Sequence, residues 1–458
     1  MHLYRTRFIR NLSLLMALLL LTTGCAGVQA PAPTEETLDP QLAEPAYPTM
    51  SDYPDEQEYI GSGGIFDSEG FEEVYSTWRE DQQQLHDQPE GYADNLQPFF
   101  LAAIPQFLQQ EGENAVCSPL NIYMALALLA ESTGGTTQQQ ILAVLNAPEL
   151  ASLRTQAGQV WSAHYNKDGA NSCVLANSLW LQNGLAYNDS TVRTLAQQYY
   201  ASVFQGPLGT PAMTQALRDW LNAQTDGLLS EQAGNLQLSP DTLIALASTL
   251  YYRARWGNEF RQENNTDGIF HSPEGDLDAV FMNRSSTALY YWGETFGATA
   301  LSLKDGSTMW LLLPDEGKTP ADVLADKDAL DLVLGNSAGY ENQKRLIVHL
   351  SLPKFDISAD LQLKDSLAAL GITEAFRSSA DFSPILPDTT AWLDSVQHAA
   401  RVAIDEEGVT AAAYTVMATV GAAPPPKDEV YFTLDRPFLF VITSRDSLPL
   451  FAGIVNTP

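Results

Sequence analysis

Residues 404–426 read IDEEGVTAAAYTVMATVGAAPPP. Three acids, Asp405, Glu406 and Glu407, precede Gly408. Fifteen residues without a charge or a proline follow, 409–423, and then Pro424, Pro425 and Pro426. In an extended conformation Val409, Ala411, Ala413, Thr415, Met417 and Thr419 face one way. Thr410, Ala412, Tyr414, Val416, Ala418 and Val420 face the other, so both sides suit burial in a sheet. The flanking acids and the triple proline mark an exposed loop instead. A strand-competent ribbon left outside a fold is an aggregation hazard. A segment that moves resolves the conflict: it is outside in one state and a strand in another. The alanines at 411–413 obstruct little between two existing strands, and Gly408 gives a permissive backbone beside them. A permanent central strand, without motion, fits the composition equally well.

Around this segment, residues 94–458 contain no linker and no repeat of fixed period, and helical and strand patterns interleave. Residues 121–131 (NIYMALALLAE) follow Ser118-Pro119 and are apolar nearly all round, as expected of a helix at the centre of a large fold. Apolar runs at 175–181, 243–252, 308–313, 346–350, 401–404, 431–434, 438–443 and 450–455 predict strands, several covered on both faces. The class is α+β. With 458 residues and 45% hydrophobic content, the chain can bury a sizeable core, which excludes global disorder and a fibrous repeat. The net charge of −32 opposes binding to nucleic acid.

The N-terminus carries an address. Arg5, Arg7 and Arg10 precede an apolar run, 12–21, that ends in Thr22-Thr23-Gly24-Cys25, the pattern of an export signal. The run is about half the ~20 residues that a membrane-spanning helix needs. Residues 1–24 resemble a bacterial lipoprotein signal, which implies acylation of Cys25, although Thr22 stands where such signals usually carry Leu. The expected location is the outer face of the cell membrane, through a lipid anchor, or the extracellular medium. Residues 26–90 hold 16 Asp and Glu against one base, Arg79. Residues 25–60 therefore read as an acidic, Pro-rich, self-repelling tether. Residues 61–93 form an N-terminal extension in which Phe71, Val74, Tyr75 and Trp78 recur at helical spacing and dock on the domain at 94–458.

No catalytic set is legible. His2, His86, His164, His271, His349 and His398 are scattered outside metal-binding spacings, so neither a metal nor a cofactor is expected. No G-x-S-x-G or phosphate-binding loop occurs. Residues 351–354 match S-x-x-K formally, but Pro353 after a strand-like run denies the helical turn that such chemistry needs. Cys117 and Cys173 lie in apolar contexts, where inert buried thiols are usual.

A series of segments resembles the serpin family of serine-protease inhibitors, in order and over essentially all of 94–458. They are 114–127 (NAVCSPLNIYMALA), 134–142 (GGTTQQQIL), 219–227 (DWLNAQTDG), 250–256 (LYYRARW), 352–355 (LPKF), 370–372 (LGI), 380–383 (ADFS), 436–440 (RPFLF) and 450–458 (LFAGIVNTP). The resemblance implies a serpin-like fold: a large mixed β-sheet, smaller sheets, about eight or nine helices and an exposed reactive loop. It also implies a hinge at Glu406, Glu407, Gly408, Val409, Thr410, Ala411, Ala412 and Ala413. Loop insertion by serpins is an established instance of strand addition and strain release, so that mechanism comes with the resemblance and not from the residues. A target protease's serine attacks the loop, and insertion displaces the acyl-enzyme before it hydrolyses. The protein is then a suicide substrate and not an enzyme, a monomer whose partner is a serine protease in a covalent acyl complex. The family's attacked bond lies about sixteen residues beyond the hinge glutamate, here Ala422-Ala423, with Val420 as the runner-up. Alanine suits a small primary pocket, pointing to elastase-like or subtilisin-like targets.

Departures from the family pattern fall on the polar cluster under the opening sheet. Ser248 stands where serpins usually have Asn, and Asn121 where S-P-x-S has its second Ser. With Ser118 and His398 these residues form a gate that is expected to be wired differently. Trp256 resembles the tryptophan at the top of the insertion gap. The alternative function is a non-inhibitory surface binding or scaffold protein on the same fold. An insertion segment free of charge and proline favours the inhibitor.

Overall fold

Two sheets enclose one helix. The computed structural model describes residues 40–61, 64–109, 112–230, 238–409 and 426–458. In it the apolar run near the centre of the sequence becomes the helix Pro119–Glu131, all 13 of its residues buried. Ser118 starts it: its hydroxyl accepts from Asn121 N at 3.2 Å, and Pro119 occupies the first turn, where no amide is needed. A helix covered on every side gains nothing from a polar face, which explains its uniform composition.

Among the described residues there are ten α-helices: α1 (Ser68–His86), α2 (Gln97–Phe107), α3 (Pro119–Glu131), α4 (Gly135–Val144), α5 (Leu150–His164), α6 (Asp189–Gln198), α7 (Pro211–Gln224), α8 (Pro320–Ala325), α9 (Lys327–Asp331) and α10 (Lys364–Leu370). Nine of these lie within 94–458. None is long and apolar enough to cross a membrane.

The first sheet runs in the order β1 (Gln41–Ala43), β5 (Ala201–Gly206), β4 (Ser172–Gln182), β6 (Ile244–Arg255), β14 (Gly408–Val409), β13 (Leu393–Ile404), β12 (Phe355–Gln362), with β3 (Asn166–Lys167) beside β4. The second runs β15 (Glu429–Thr433), β11 (Gln343–Pro353), β8 (Gly275–Trp292), β9 (Phe296–Ser302), β10 (Thr308–Pro314), β16 (Phe438–Thr443), β17 (Pro449–Val455), β2 (Ala115–Cys117), with β7 (Thr266–Ser272) on β8. Each apolar run predicted as a strand falls on one of these. β4, β6, β16 and β17 are buried along almost their whole length, as strands covered on both faces must be.

From Pro40 the chain lies on the fold, whereas its composition suggests a free spacer as far as residue 60. Gln41 pairs with Phe204, adding β1 to the edge of the first sheet. Tyr47 stacks on Trp161 at 5.3 Å, and Tyr53 N donates to Asp168 O at 2.7 Å. Two well-placed tyrosines and three strand residues outweigh the acids, and such sparse anchors leave no period to read. In α1 the rings of Phe71, Tyr75 and Trp78 stack in sequence, and Trp78 meets Tyr53 edge-on at 5.0 Å. Val74 remains 42% exposed, at the margin of that face.

At the end of α3 the buried Glu131 joins three helices. Its carboxylate accepts from Arg154 Nε at 3.0 Å and Nη2 at 2.7 Å, in α5, and from Tyr199 OH at 2.9 Å, just past α6. Removing that hydroxyl by Tyr199→Phe should cost about 1–2 kcal/mol, read as a lower denaturant midpoint at unchanged slope.

Candidate functional site

The two central strands of the first sheet fork. β6 and β13 run parallel and pair directly, from Leu393 opposite Ile244 to Ala399 opposite Thr249, where the ladder ends. Beyond that point each keeps its outer neighbour: β4 follows β6 to Arg253, and β12 follows β13 to Ile404. At the open end β14 lies between them, antiparallel to both, with Val409 opposite Ala254 on one side and Ile404 on the other. The direct β6–β13 ladder thus ends at Thr249 and Ala399, and among the described residues β14 meets the two strands only at Ala254, Arg255 and Ile404. A cavity of about 700 Å³ lies at this level, lined by Tyr251, Arg253, Ala403, Ile404 and, from the segment after α7, Leu228.

The acidic run before β14 makes the turn into the fork. Asp405 Oδ1 accepts from Glu407 N at 2.9 Å and Gly408 N at 3.1 Å, and Asp405 N donates to Gly408 O at 3.1 Å. Trp256, wholly buried, donates from its backbone N to Glu407 O at 2.9 Å and from Nε1 to Asp405 O at 2.8 Å. Phe260, edge-on to Trp256 at 6.0 Å, donates its N to Glu406 O at 2.9 Å. Trp256 thus anchors the turn through both of its N–H groups. Gly408 is there for closeness and not for a left-handed backbone. A Cβ built on it would lie 2.7 Å from Arg255 Cα, and closer still to Ala254 O.

The two glutamates differ. Lys354 Nζ reaches Glu406 Oε1 at 2.6 Å, and Asn265 Nδ2 donates to the same oxygen at 2.5 Å. Burial pushes Glu406 up, but these bonds outweigh it and hold the carboxyl below the ordinary glutamate value. Burial pushes Glu407 up, with help from Asp405 and Glu259, and its Oε2 is buried without a hydrogen-bond partner.

The predicted gate residues meet where the fork begins. His398, wholly buried, is opposite Ser248 in the β6–β13 register. Its Nε2 accepts from Ser118 N at 2.8 Å, so the proton of the neutral ring is on Nδ1, which donates to Ser248 Oγ at 3.2 Å. Asn121 Nδ2 donates to Ser248 Oγ at 2.8 Å and to Thr249 O at 2.7 Å, and Asn177 Nδ2 donates to Asn121 Oδ1 at 3.1 Å. Relative to the family pattern, amide and hydroxyl have traded sides: the amide comes from α3 and the hydroxyl from the strand. Burial pushes His398 down to about 3.

Thr410, Ala411, Ala412, Ala413, Val420, the bond Ala422-Ala423 and Cys25 lie outside the described residues. Asp405, Asn265, Phe260 and Lys354 were not singled out from sequence as parts of the site. Lys354 had a signal, since it sits in the LPKF segment and is a base in a chain of 24 bases and 56 acids. It pairs with Glu406, not with Ser351 of β11. Cys117 and Cys173 are buried and free, and burial pushes both thiols far up, which makes them inert. Among the described residues no group of acids, histidines or cysteines could hold a metal ion.

A family model described as serpin (serine protease inhibitor) matches residues 95–458. The chain belongs to the serpin family. It is similar to an alpha-1-antitrypsin-like protein of Tamias sibiricus, 30% identical over 389 residues, covering 82% of this chain and 91% of the relative. It is also similar to a serine protease inhibitor of Cyanea capillata, 28% identical, covering 76% and 93%. In fold it resembles the native-state crystal structure of the thermophilic serpin tengpin, with a TM-score of 0.72 at 22% identity, covering 81% of this chain and 95% of that one.

His398 makes serpin stability pH-dependent in a definite direction. Its folded-state value lies below the ordinary ~6.5, so it imposes no penalty above that pH. Stability is lost as pH falls below ~6.5, by about 1.4 kcal/mol per unit, until the folded ring itself protonates near 3. Replacing it by Gln should flatten this part of the pH–stability curve, measured by denaturant unfolding at a series of pH values.

Proposed function

We propose that this serpin is an irreversible suicide-substrate inhibitor of serine proteases with a small primary pocket, elastase-like or subtilisin-like. The observation that supports it is the fork: β6 and β13 are hydrogen-bonded to each other below, and parted above by Gly408 of the hinge and Val409, the first residue of the inserting segment. A ribbon that continued from Val409 would break the direct ladder and form two new ones. Each added backbone hydrogen bond contributes about 0.5–1.5 kcal/mol net, so a dozen residues gain a margin large enough to drive the transition.

The chemistry belongs to the target. Its serine oxygen attacks the carbonyl carbon of Ala422, the bond to Ala423 N breaks, and the amine leaves with a proton from the target's histidine. Insertion then carries the acyl-enzyme away from the geometry that hydrolysis requires. This serpin supplies no nucleophile and is not an enzyme. Export behind the signal at 1–24, a lipid anchor on Cys25 and a monomeric state complete the proposal: an inhibitor held at the outer face of the cell membrane. The second reading, a non-inhibitory binding protein, is disfavoured by the buried, uncharged start of the strand, with Val409 only 1% exposed.

Incubation with pancreatic-type elastase, subtilisin and trypsin should give a complex stable to denaturing electrophoresis with the first two and none with trypsin. The released peptide should have the mass of residues 423–458. By alternation from Val409, Ala413 enters on the core face, so Ala413→Glu should convert the inhibitor into a substrate, cleaved without trapping, because a buried unpaired carboxylate costs several kcal/mol. Cleavage that leaves thermal stability unchanged, with no complex, would establish the binding-protein reading instead.

A further inference from the structure

α1 is held to the body of the protein along a shallow seam. Of its 19 residues only Gln82 is buried. Its last turn lies against the C-terminal end of α5, and two histidines meet there. His86 Nε2 donates to Tyr165 O at 2.7 Å, which leaves Nδ1 unprotonated, buried and without a hydrogen-bond partner. His164, 7% exposed, donates from Nδ1 to Val160 O at 2.7 Å, leaving its Nε2 in the same condition. Each neutral ring spends its single proton on a carbonyl. A second proton on either would enter a closed seam beside the other ring.

We propose that this seam is an acid-sensitive clasp, in which protonation of His86 and His164 releases Ser68–His86 from α5 while the two sheets stay folded. The proposal is independent of the inhibitor reading.

The surrounding charges do not offset the effect. Arg445, in the β16–β17 turn, opposes a charge on both rings, whereas Asp168 favours one on His86 and Asp446 favours one on His164. The Gln82 carbonyl of α1 gives His86 minor support, and Asp446 already accepts from Tyr92 OH at 2.6 Å. A charge on His86 also disfavours one on His164. Burial dominates at both, holding His86 below the ordinary histidine value and His164 at about 4. Docking is therefore unopposed above pH ~6.5 and increasingly opposed below it. A helix with one buried residue sits at the low-stability end of a structure, so the seam opens before the core does.

The test is hydrogen exchange on the full folded chain at about pH 7.5 and about pH 5.0, corrected for intrinsic rates. A ring kept neutral in the seam weakens docking roughly thirtyfold over the 1.5 units below 6.5. Peptides covering 68–86 should lose at least about tenfold in protection at the lower pH, with α3 protected at both. His86→Gln and His164→Asn keep a donor to Tyr165 O and Val160 O respectively but do not titrate, so the double variant should hold 68–86 equally at both pH values. If the double variant does not fold, His86→Gln alone, on the half-exposed helix, should measurably reduce the response. Equal protection of 68–86 at both pH values, the same loss in the variants, or loss of α3 together with α1 would overturn the proposal.

Discussion

A backbone edge can be satisfied by one neighbour at a time. β6 and β13 use this rule twice along their length: they pair with each other over 244–249 and 393–399, and with β14 at the far end. Buried backbone groups demand partners, so the proposed insertion would exchange one ladder between two long strands for two. A ribbon that is uncharged on both faces is what can make that exchange. The composition of 409–423 and the shape of the first sheet therefore describe a single constraint.

Polar groups set where the fork starts. His398 and Ser248 are opposed in the register one pair before the ladder ends, and their bonds to Ser118 and Asn121 tie both strands to the start of α3. A fully connected buried network fixes geometry better than apolar contact does, because each displacement leaves a polar atom unsatisfied. The traded positions of Asn121 and Ser248 keep one amide and one hydroxyl across the same gap. That is why an apparent double departure from the family pattern keeps the bonds among His398, Ser248, Ser118 and Asn121, although Asn177 Oδ1 beside them is buried without a partner.

The legible parts of the fold were those where composition is extreme. Residues 121–131 and the all-apolar strands announced burial on every side, and the loop announced itself by contradicting its own flanks. β8 went unread because it is exposed on both faces over much of its length: Ser285, Ser286 and Thr287 interrupt the apolar residues, so neither a run nor a clean alternation survives. β1 is three residues among prolines. At the site, Trp256, His398 and the hinge were reachable through family resemblance, but the ion pair of Lys354 with Glu406 joins segments distant in sequence, and only the fold brings them together. Gly408 was read as a source of flexibility, yet its role is close approach to a neighbouring strand, which a single sequence cannot distinguish.

Magnitudes show how Val409 is held between β6 and β13. Burying Val409 contributes about 1.5–3 kcal/mol relative to exposure, and the Glu406–Lys354 pair, with Asn265, adds a charge-assisted contact. Against these stands Glu407, whose buried Oε2 has no partner, a condition that costs about 1–3 kcal/mol. The favourable terms outnumber the opposing one, and the Trp256 and Asp405 hydrogen bonds add to them, so Gly408 and Val409 are held in the sheet. For the proposed insertion this hold defines the point of entry: Trp256 fixes the turn from one side and Lys354 from the other, so that a ribbon continuing from Val409 would meet β6 and β13 in register.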